Sequence, residues 1–470
     1  MIIIVIPIEI KIREFLPKLY LTYNIIKNTN CHVLFAGQRF IYNKIRSFKD
    51  VIYFDKNTHH TRLFKNSDIL KRNILCMLDE EGPISFYDKD TMCIRYHQNI
   101  KKLINHFFLW GKKDLKNFTK AGFSKNTTTI SGHPKFDLIN NKNLRIFEEE
   151  VRKIKKKYNN FIFFPSSFES DPIKNLSTTK SQYKTFFKNF SKKVIFQKIN
   201  RNIKERLISQ KNYTKTVEML INLANKFPDL NIVFRKHPYE SHVEVLKRFG
   251  NKPKNLHIIY KYTVTPWIIA CDIYIHGGCT TSLEASVLNK KNFMYVPIKT
   301  KTIREKELSK LADFYSNEKR LFSKIENYFI KNKILKSSNK IINLISNHNL
   351  KKSFYKYFIK FISNYKKLNS QIIYEDEKKI FKNISYFVKK IIFRLLSSIK
   401  NLILSSNLAE FLPEQHSYSK ASALNKFKDI KINEIKKYFT LFHKTQKNQF
   451  KYKIKKIDNS VFLINKTNQN

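Results

Sequence analysis

Glycine and proline are scarce in this sequence, at eight and 12 of 470 residues. No glycine follows Gly278, and Pro413 is the one proline beyond Pro297. Sharp turns and close backbone approaches to ligands call for glycine. A turn-rich α/β fold and its ligand site therefore belong before about residue 300, and the remainder is expected to be mainly helical. The five cysteines (Cys31, Cys76, Cys93, Cys271, Cys279) are scattered and form no CxxC pair. That excludes a disulfide scaffold and a CxxC zinc or redox site, and points to a reducing compartment. The longest apolar run, Met1 to Ile8, is too short to cross a bilayer. It also lacks the basic region and small-residue cleavage site of a signal peptide, so a cytoplasmic chain is expected.

Acidic residues are few as well, 37 against 90 Lys and Arg, for a formal charge of +53. Abundant Lys, Asn, Ile, Phe and Tyr beside two Trp look like a codon bias towards A and T, which inflates lysine throughout. The field still favours anionic partners, nucleic acid or an anionic membrane leaflet. The lysines are spread along the chain rather than gathered in a patch interleaved with aromatics, which disfavours nucleic acid. The 42% hydrophobic content excludes a chain held open by charge. At roughly 150 residues per domain, the length predicts two or three domains.

Short β-branched runs alternate with helical stretches from the start. Strands are predicted at Ile2–Pro7, His32–Ala36, Val51–Phe54, Asn73–Leu78, up to Trp110, and at Thr127–Ser131. Helices are predicted at Ile12–Lys27, near Asn99–Asn105 and at Lys112–Ala121. A charged helix, Phe147–Asn159, connects to a second series. Its strands are Phe161–Pro165, Asn231–Arg235, Leu256–Tyr260, Asp272–His276 and Phe293–Val296, with helices at Thr214–Phe227 and Ser282–Leu288. Such alternation implies parallel sheets covered on both faces. The expected division is a Rossmann-like domain over 1–146, a linker helix over 147–160, a second Rossmann-like domain over 161–320 and a basic helical tail over 321–470.

Three segments follow directly on strands, at the edge where open α/β sheets bind ligands. In Leu78-Asp79-Glu80-Glu81-Gly82, three adjacent carboxylates would repel one another if all were buried. One is expected to have a raised pKa or to face a cleft, as a general base does; a solvated acidic turn is the plainer alternative. In Arg235-Lys236-His237-Pro238-Tyr239-Glu240, Pro238 extends the residue before it. His237 can then reach the cleft and protonate, or donate a hydrogen bond to, a departing phosphate; the alternative is a satisfied core histidine. In His276-Gly277-Gly278-Cys279-Thr280-Thr281-Ser282-Leu283-Glu284, a Gly-Gly turn and three hydroxyl residues precede a helix, an arrangement suited to an anion. It matches neither the Walker A nor the dinucleotide pattern, and Glu284 is placed to reach a ribose hydroxyl. A capped tight turn is the alternative here.

Together these segments resemble bacterial sialyltransferases, polysialyltransferases and Kdo transferases, which carry a D/E-D/E-G motif and an HP motif. The closer resemblance is to surface carbohydrate biosynthesis proteins. It is carried by Leu78–Gly82, Gly132-His133-Pro134-Lys135-Phe136-Asp137, Arg235–Glu240 and Gly278–Ala285, and it covers roughly residues 1 to 300. The resemblance implies a GT-B fold, with the acceptor on the first domain and the donor nucleotide on the second, and a metal-independent reaction. It implies Glu80 or Glu81 as the general base, His237 as the residue assisting CMP departure, and Thr280, Thr281 and Ser282 on the donor phosphate. Arg235, Pro238, Glu240, His276, Gly277, Gly278 and Glu284 complete the expected donor site. Asp137 is a further carboxylate that leaves inversion and retention both open. Lys236, where the family pattern has proline, is either a partner for an acidic sugar or compositional drift.

The expected activity is transfer of a sugar from a CMP-activated donor, an acidic sugar such as Kdo or a nonulosonate, to a glycan or lipid-linked acceptor. No cofactor is expected beyond that nucleotide-sugar co-substrate. A CDP-glycerol-type glycerophosphotransferase and a UDP- or GDP-sugar glycosyltransferase are the alternatives among enzymes, and a basic nucleic-acid-binding protein outside them. Apolar residues at helical spacing from Phe387 to Leu404, with Lys389, Lys390, Arg394 and Lys400 opposite, give two readings. One is a basic amphipathic helix on an anionic membrane surface, the other a helix packed on the protein.

Overall fold

The computed structural model describes residues 1–38, 40–41, 47–56, 71–88, 91–92, 95–96, 103–139, 143–168, 184, 191–238, 240–329, 344–347, 353–372, 429–447 and 449–467. The amphipathic 387–404 stretch lies outside them, as does most of the helix expected near residue 100.

The first sheet contains Ile3–Ile8 (β1), His32–Gly37 (β2), Ile52–Asp55 (β3), Ile74–Leu78 (β4), His106–Leu109 (β5) and Thr128–Ile130 (β6). These six are parallel, in the order β2-β1-β3-β4-β5-β6. Helix α1, Lys11–Asn28, is buried along most of its length against one face. The second sheet contains Phe161–Pro165 (β7), Asn231–Arg235 (β8), Leu256–Ile259 (β9), Ile273–His276 (β10), Lys291–Tyr295 (β11) and Asp313–Tyr315 (β12). It is parallel throughout, ordered β9-β8-β7-β10-β11-β12. Both orders reverse once, β1 to β3 in the first and β7 to β10 in the second, and a crevice opens at each reversal. Two Rossmann-like domains facing each other across a cleft constitute a GT-B fold. The helix Glu148–Tyr158 joins them, with glutamates in its first turn and lysines in its last, as the helix dipole favours.

One helix is much longer than expected. It runs from Lys192 to Lys226 rather than from Thr214, with the Ser191 hydroxyl capping its start through Val194 N–H at 3.4 Å. The added turns mix exposed and half-buried residues, and Ile195, Ile199, Ile203 and Leu207 recur along them at four-residue spacing.

The C-terminal region is helical over Glu318–Phe329, Phe354–Ser363 and Ile432–Gln446, and its last two helices pack on the first domain. Phe354 and Phe358 meet Phe54 and Phe108, while Phe439 and Phe442 close on Tyr23. A terminal hairpin, Tyr452–Asp458 (β13) and Val461–Lys466 (β14), extends the first sheet by pairing β14 antiparallel to β2. Lysines alternating with Tyr452 and Ile454, an Asp458-Asn459-Ser460 turn and the apolar run Val461–Ile464 form this hairpin, where a helical tail was expected. Among the described residues no helix is long and apolar enough to cross a membrane.

Candidate active site

The three carboxylates after β4 have three different surroundings. Asp79 is buried and takes Nε and Nη2 of Arg95 at 2.8 and 2.9 Å, with the Tyr96 hydroxyl at 2.9 Å. It is a structural ion pair. Glu80 lines the cleft: Oε2 accepts from His133 Nε2 at 2.9 Å, and Lys18 Nζ lies 3.3 Å from Oε1. Burial pushes its pKa up, but Lys18, His133 and Arg13 outweigh burial and hold it well below the usual carboxylate range. Glu81 also lines the cleft and is the most exposed, with Arg95 Nη1 at 2.7 Å and Lys56 Nζ at 4.0 Å. There too burial is overcome, by Arg95, Arg13 and Lys56. Both glutamates face the cleft as ionised acceptors, so of the two expectations for this segment the cleft holds and the raised pKa does not.

His133 has a defined tautomer. Its Nδ1 accepts the Lys135 N–H at 3.1 Å, so Nε2 carries the proton given to Glu80. Burial keeps the ring neutral despite Glu80 beside it.

From the second domain, β8 delivers Arg235 and His237 to the same cleft. Arg235 is buried; its Nη2 donates to the Tyr262 carbonyl at 3.0 Å, while Nε has no partner. A guanidinium in a cleft wall brings a positive charge suited to an anion. Burial, then Arg13, Arg235 and Arg304, bring the His237 pKa down to about 3. Of the two roles expected for His237, donation of a hydrogen bond by a neutral imidazole is the one this setting favours. Pro238 lines the cleft beside it. Glu240 does not line the cleft; it is fully buried and accepts the His237 backbone N–H, bracing the turn. Lys236 Nζ donates to the Glu240 carbonyl at 2.8 Å and sits 3.8 Å from the Tyr260 ring centre, so it is no partner for a sugar in the cleft.

After β10 the chain divides between turn-builders and cleft-liners. His276 is buried, and its Nδ1 accepts the N–H groups of Gly278 and Cys279 at 3.1 and 3.2 Å. Gly278 has φ +96°, and a Cβ on Gly277 would lie 2.9 Å from Phe168 Cζ. These three residues shape the turn rather than touch a ligand. Cys279, Thr280, Thr281 and Glu284 line the cleft. The Thr281 hydroxyl shares a 2.7 Å hydrogen bond with that of Tyr274. Ser282 is buried and does not line the cleft, contrary to its expected place on the phosphate. Glu284, expected at a ribose, accepts from Thr265 Oγ1 at 2.9 Å and has Lys135 Nζ at 3.0 Å.

Asp137 also departs from expectation. It lies outside the cleft, accepting from Asn347 Nδ2 at 2.8 Å and from the N–H groups of Phe354 and Tyr355 at 3.0 and 3.2 Å. It anchors the helix Phe354–Ser363, and burial lifts its pKa to about 7. Three donors on one buried carboxylate leave it no approach to an anomeric carbon.

Sequence reasoning missed Arg13, Lys18, His133 and Lys135. Arg13 and Lys18 follow β1, beside the first sheet's reversal; this position was their available signal. His133 and Lys135 lay inside a quoted motif, but only folding shows them meeting Glu80 and Glu284. The assembled cleft has a volume of about 1040 Å³ including space open to solvent. Among the described residues no three His, Cys, Asp or Glu side chains cluster as metal ligands do.

No protein-family model matches the chain, and no curated protein does. Solved structures do. The UDP-GlcNAc 2-epimerase of Neisseria meningitidis, bound to UDP-GlcNAc, is 11% identical with a TM-score of 0.48, covering 77% of this chain and 100% of its own. The UDP-GlcNAc 2-epimerase of Methanocaldococcus jannaschii, in complex with UDP-GlcNAc and UDP, is 13% identical at TM-score 0.47, covering 77% and 99%. The wall teichoic acid polymerase TagF is 11% identical at TM-score 0.46, covering 77% and 88%. Likeness at this level carries no information on chemistry, which has to come from the cleft itself.

Proposed function

We propose that this chain is a glycosyltransferase of surface polysaccharide synthesis, using a nucleotide-activated sugar, of which a CMP-linked acidic sugar fits best. The observation that carries the reading is one cleft holding Glu80 and Glu81 from one domain and Arg235, His237, Thr280 and Thr281 from the other. An acceptor hydroxyl beside the glutamates loses its proton to a carboxylate as its oxygen bonds the anomeric carbon. The bond from that carbon to the donor phosphate breaks, and the nucleotide leaves with the electron pair. His237 N–H, Arg235 and the threonine turn meet the phosphate charge. Because both glutamates are ionised, proton transfer belongs late in the step, when the attacking hydroxyl has become acidic. With Asp137 engaged elsewhere, a single displacement is the simpler course. One phosphate, as in CMP, suits one turn and one guanidinium.

A donor screen tests this. CMP-, CDP-, UDP- and GDP-linked compounds are added to the purified protein and the unfolding midpoint is measured, since a ligand of the native state raises it. Stabilisation by CMP compounds above the others is expected. Preference for a CDP, UDP or GDP compound moves the assignment to that donor class, and no response to any of them overturns it.

A further inference from the structure

A second groove, about 960 Å³ including space open to solvent, lies beside the cleft. Four parts of the chain wall it: the start of α1, Glu150 on the linker helix Glu148–Tyr158, the Tyr260–Thr263 loop of the second domain, and the helix Ile432–Gln446. Ile12, Leu16 and Thr263 line both spaces, so groove and cleft are neighbours with a common wall.

The loop is held in an unfavourable shape. Tyr262 has φ +60°, the left-handed region that aromatic residues seldom adopt unless their surroundings impose it. Trp267 Nε1 donates to the Lys261 carbonyl at 2.7 Å, and Arg235 Nη2 donates to that of Tyr262 at 3.0 Å. The arginine that lines the cleft thus also fixes the groove's aromatic rim.

The charge in the groove is balanced, although the chain carries +53. Its ionisable residues other than tyrosine are Lys11, Lys261, Glu150 and Glu434, and Lys11 pairs with Glu434 at 2.7 Å. Between them stand Tyr260, Tyr262 and Tyr438. A polyanion gains little there and has to approach Glu150. An apolar chain would cover Glu150 and the Lys11–Glu434 pair while offering them no hydrogen bond. A neutral sugar satisfies both demands, since its C–H faces cover aromatic rings and its hydroxyls bond carboxylate, ammonium and phenol groups.

We propose that this groove binds a neutral saccharide segment, the non-reacting part of the acceptor glycan. The acceptor role rests on the glycosyltransferase reading; the binding site does not.

The test is saturation-transfer NMR and calorimetry on the full chain. Probes are neutral gluco-, galacto- and N-acetylglucosamine oligosaccharides, a sulfated oligosaccharide, and phosphatidylglycerol vesicles. Variants are Tyr262→Asn, since asparagine tolerates the left-handed conformation, and Glu150→Ala, on an accessible helix. A neutral oligosaccharide is expected to bind with little salt dependence and roughly three- to tenfold more weakly to each variant, the scale of one aromatic contact or hydrogen bond. No binding by any neutral probe, equal binding to the folded variants, or salt-sensitive preference for the sulfated probe or vesicles would overturn the proposal. Nucleotide stabilisation without saccharide binding removes the groove alone. Saccharide binding without nucleotide stabilisation removes the transferase reading alone.

Discussion

Lys135 Nζ lies 3.0 Å from Glu284 Oε1, and the two residues belong to different domains. The same lysine's backbone N–H sets the tautomer of His133, whose Nε2 proton is held by Glu80. Lys135 thus bridges the two domains directly beside the His133–Glu80 pair.

Replacing His133 by Ala removes a donor that favours ionised Glu80, so the Glu80 pKa rises. The acid limb of the kcat/KM profile is expected to move to higher pH, with the folded structure retained. An unmoved limb would exclude Glu80 as the group it reports.

His237 is neutral because it is largely withdrawn from water and lies in the field of Arg13, Arg235 and Arg304. A bound phosphate supplies the missing negative charge, so its imidazole pKa should rise on adding CMP, as followed by histidine NMR. Turnover in His237→Ala should fall on the order of 10²–10⁴-fold, the range for general acid–base assistance. Nucleotide affinity should change far less.

Arg235 and Ser282 give a paired comparison. Arg235→Met removes a charge-assisted contact to phosphate, about 1.5–3 kcal/mol or roughly 10- to 100-fold in nucleotide affinity. Ser282→Ala, buried and off the cleft, should leave affinity unchanged. Titration calorimetry with CMP separates them, and the reverse ranking would relocate the phosphate.

Gly132 sits at φ +82°, where a Cβ would come within 1.8 Å of Asn347 Oδ1. Gly132→Ala should cost on the order of 2–4 kcal/mol, from left-handed strain together with overpacking. In an Asn347→Gly background, which also removes the Cβ that would otherwise lie 2.8 Å away, the same change should cost only about 1–2 kcal/mol. Denaturant unfolding of the four proteins measures the difference.

Asp137 has its folded pKa raised from 3.8 to about 7. Between those values the folded state holds a proton that the unfolded state has released, so this group's stabilisation declines as pH rises through the interval. Relative to Asp137→Asn, which does not titrate, the wild-type protein should lose stability from about pH 4 to about pH 7. A constant difference across that range would show Asp137 to be ionised throughout.

Most strands of both sheets could be placed from the sequence to within a residue or two, because most are short, largely buried runs rich in Ile, Val, Phe and Leu. Asp313–Tyr315 and the terminal hairpin escaped: the first is three residues long, and β13 alternates lysines with half-buried residues on an edge. Helix Lys192–Lys226 was read short even though its first half carries Ile195, Ile199, Ile203 and Leu207 at helical spacing, and of these four only Ile199 is buried.

The motif residues were equally visible, but their roles were not. Sequence by itself determined that acidic, His-Pro and Gly-Thr-Ser segments sit at strand ends, since strand and turn chemistry are local. Only the tertiary structure decided which of those side chains share the cleft. Glu80 and His237 meet there because the two sheet reversals face each other. Asp137, equally acidic and next to Phe136 in the cleft wall, is drawn away by the backbone of Phe354 and Tyr355. Partners more than 200 residues distant decide whether a buried carboxylate is a reagent or a brace, and spacing along the chain does not record them.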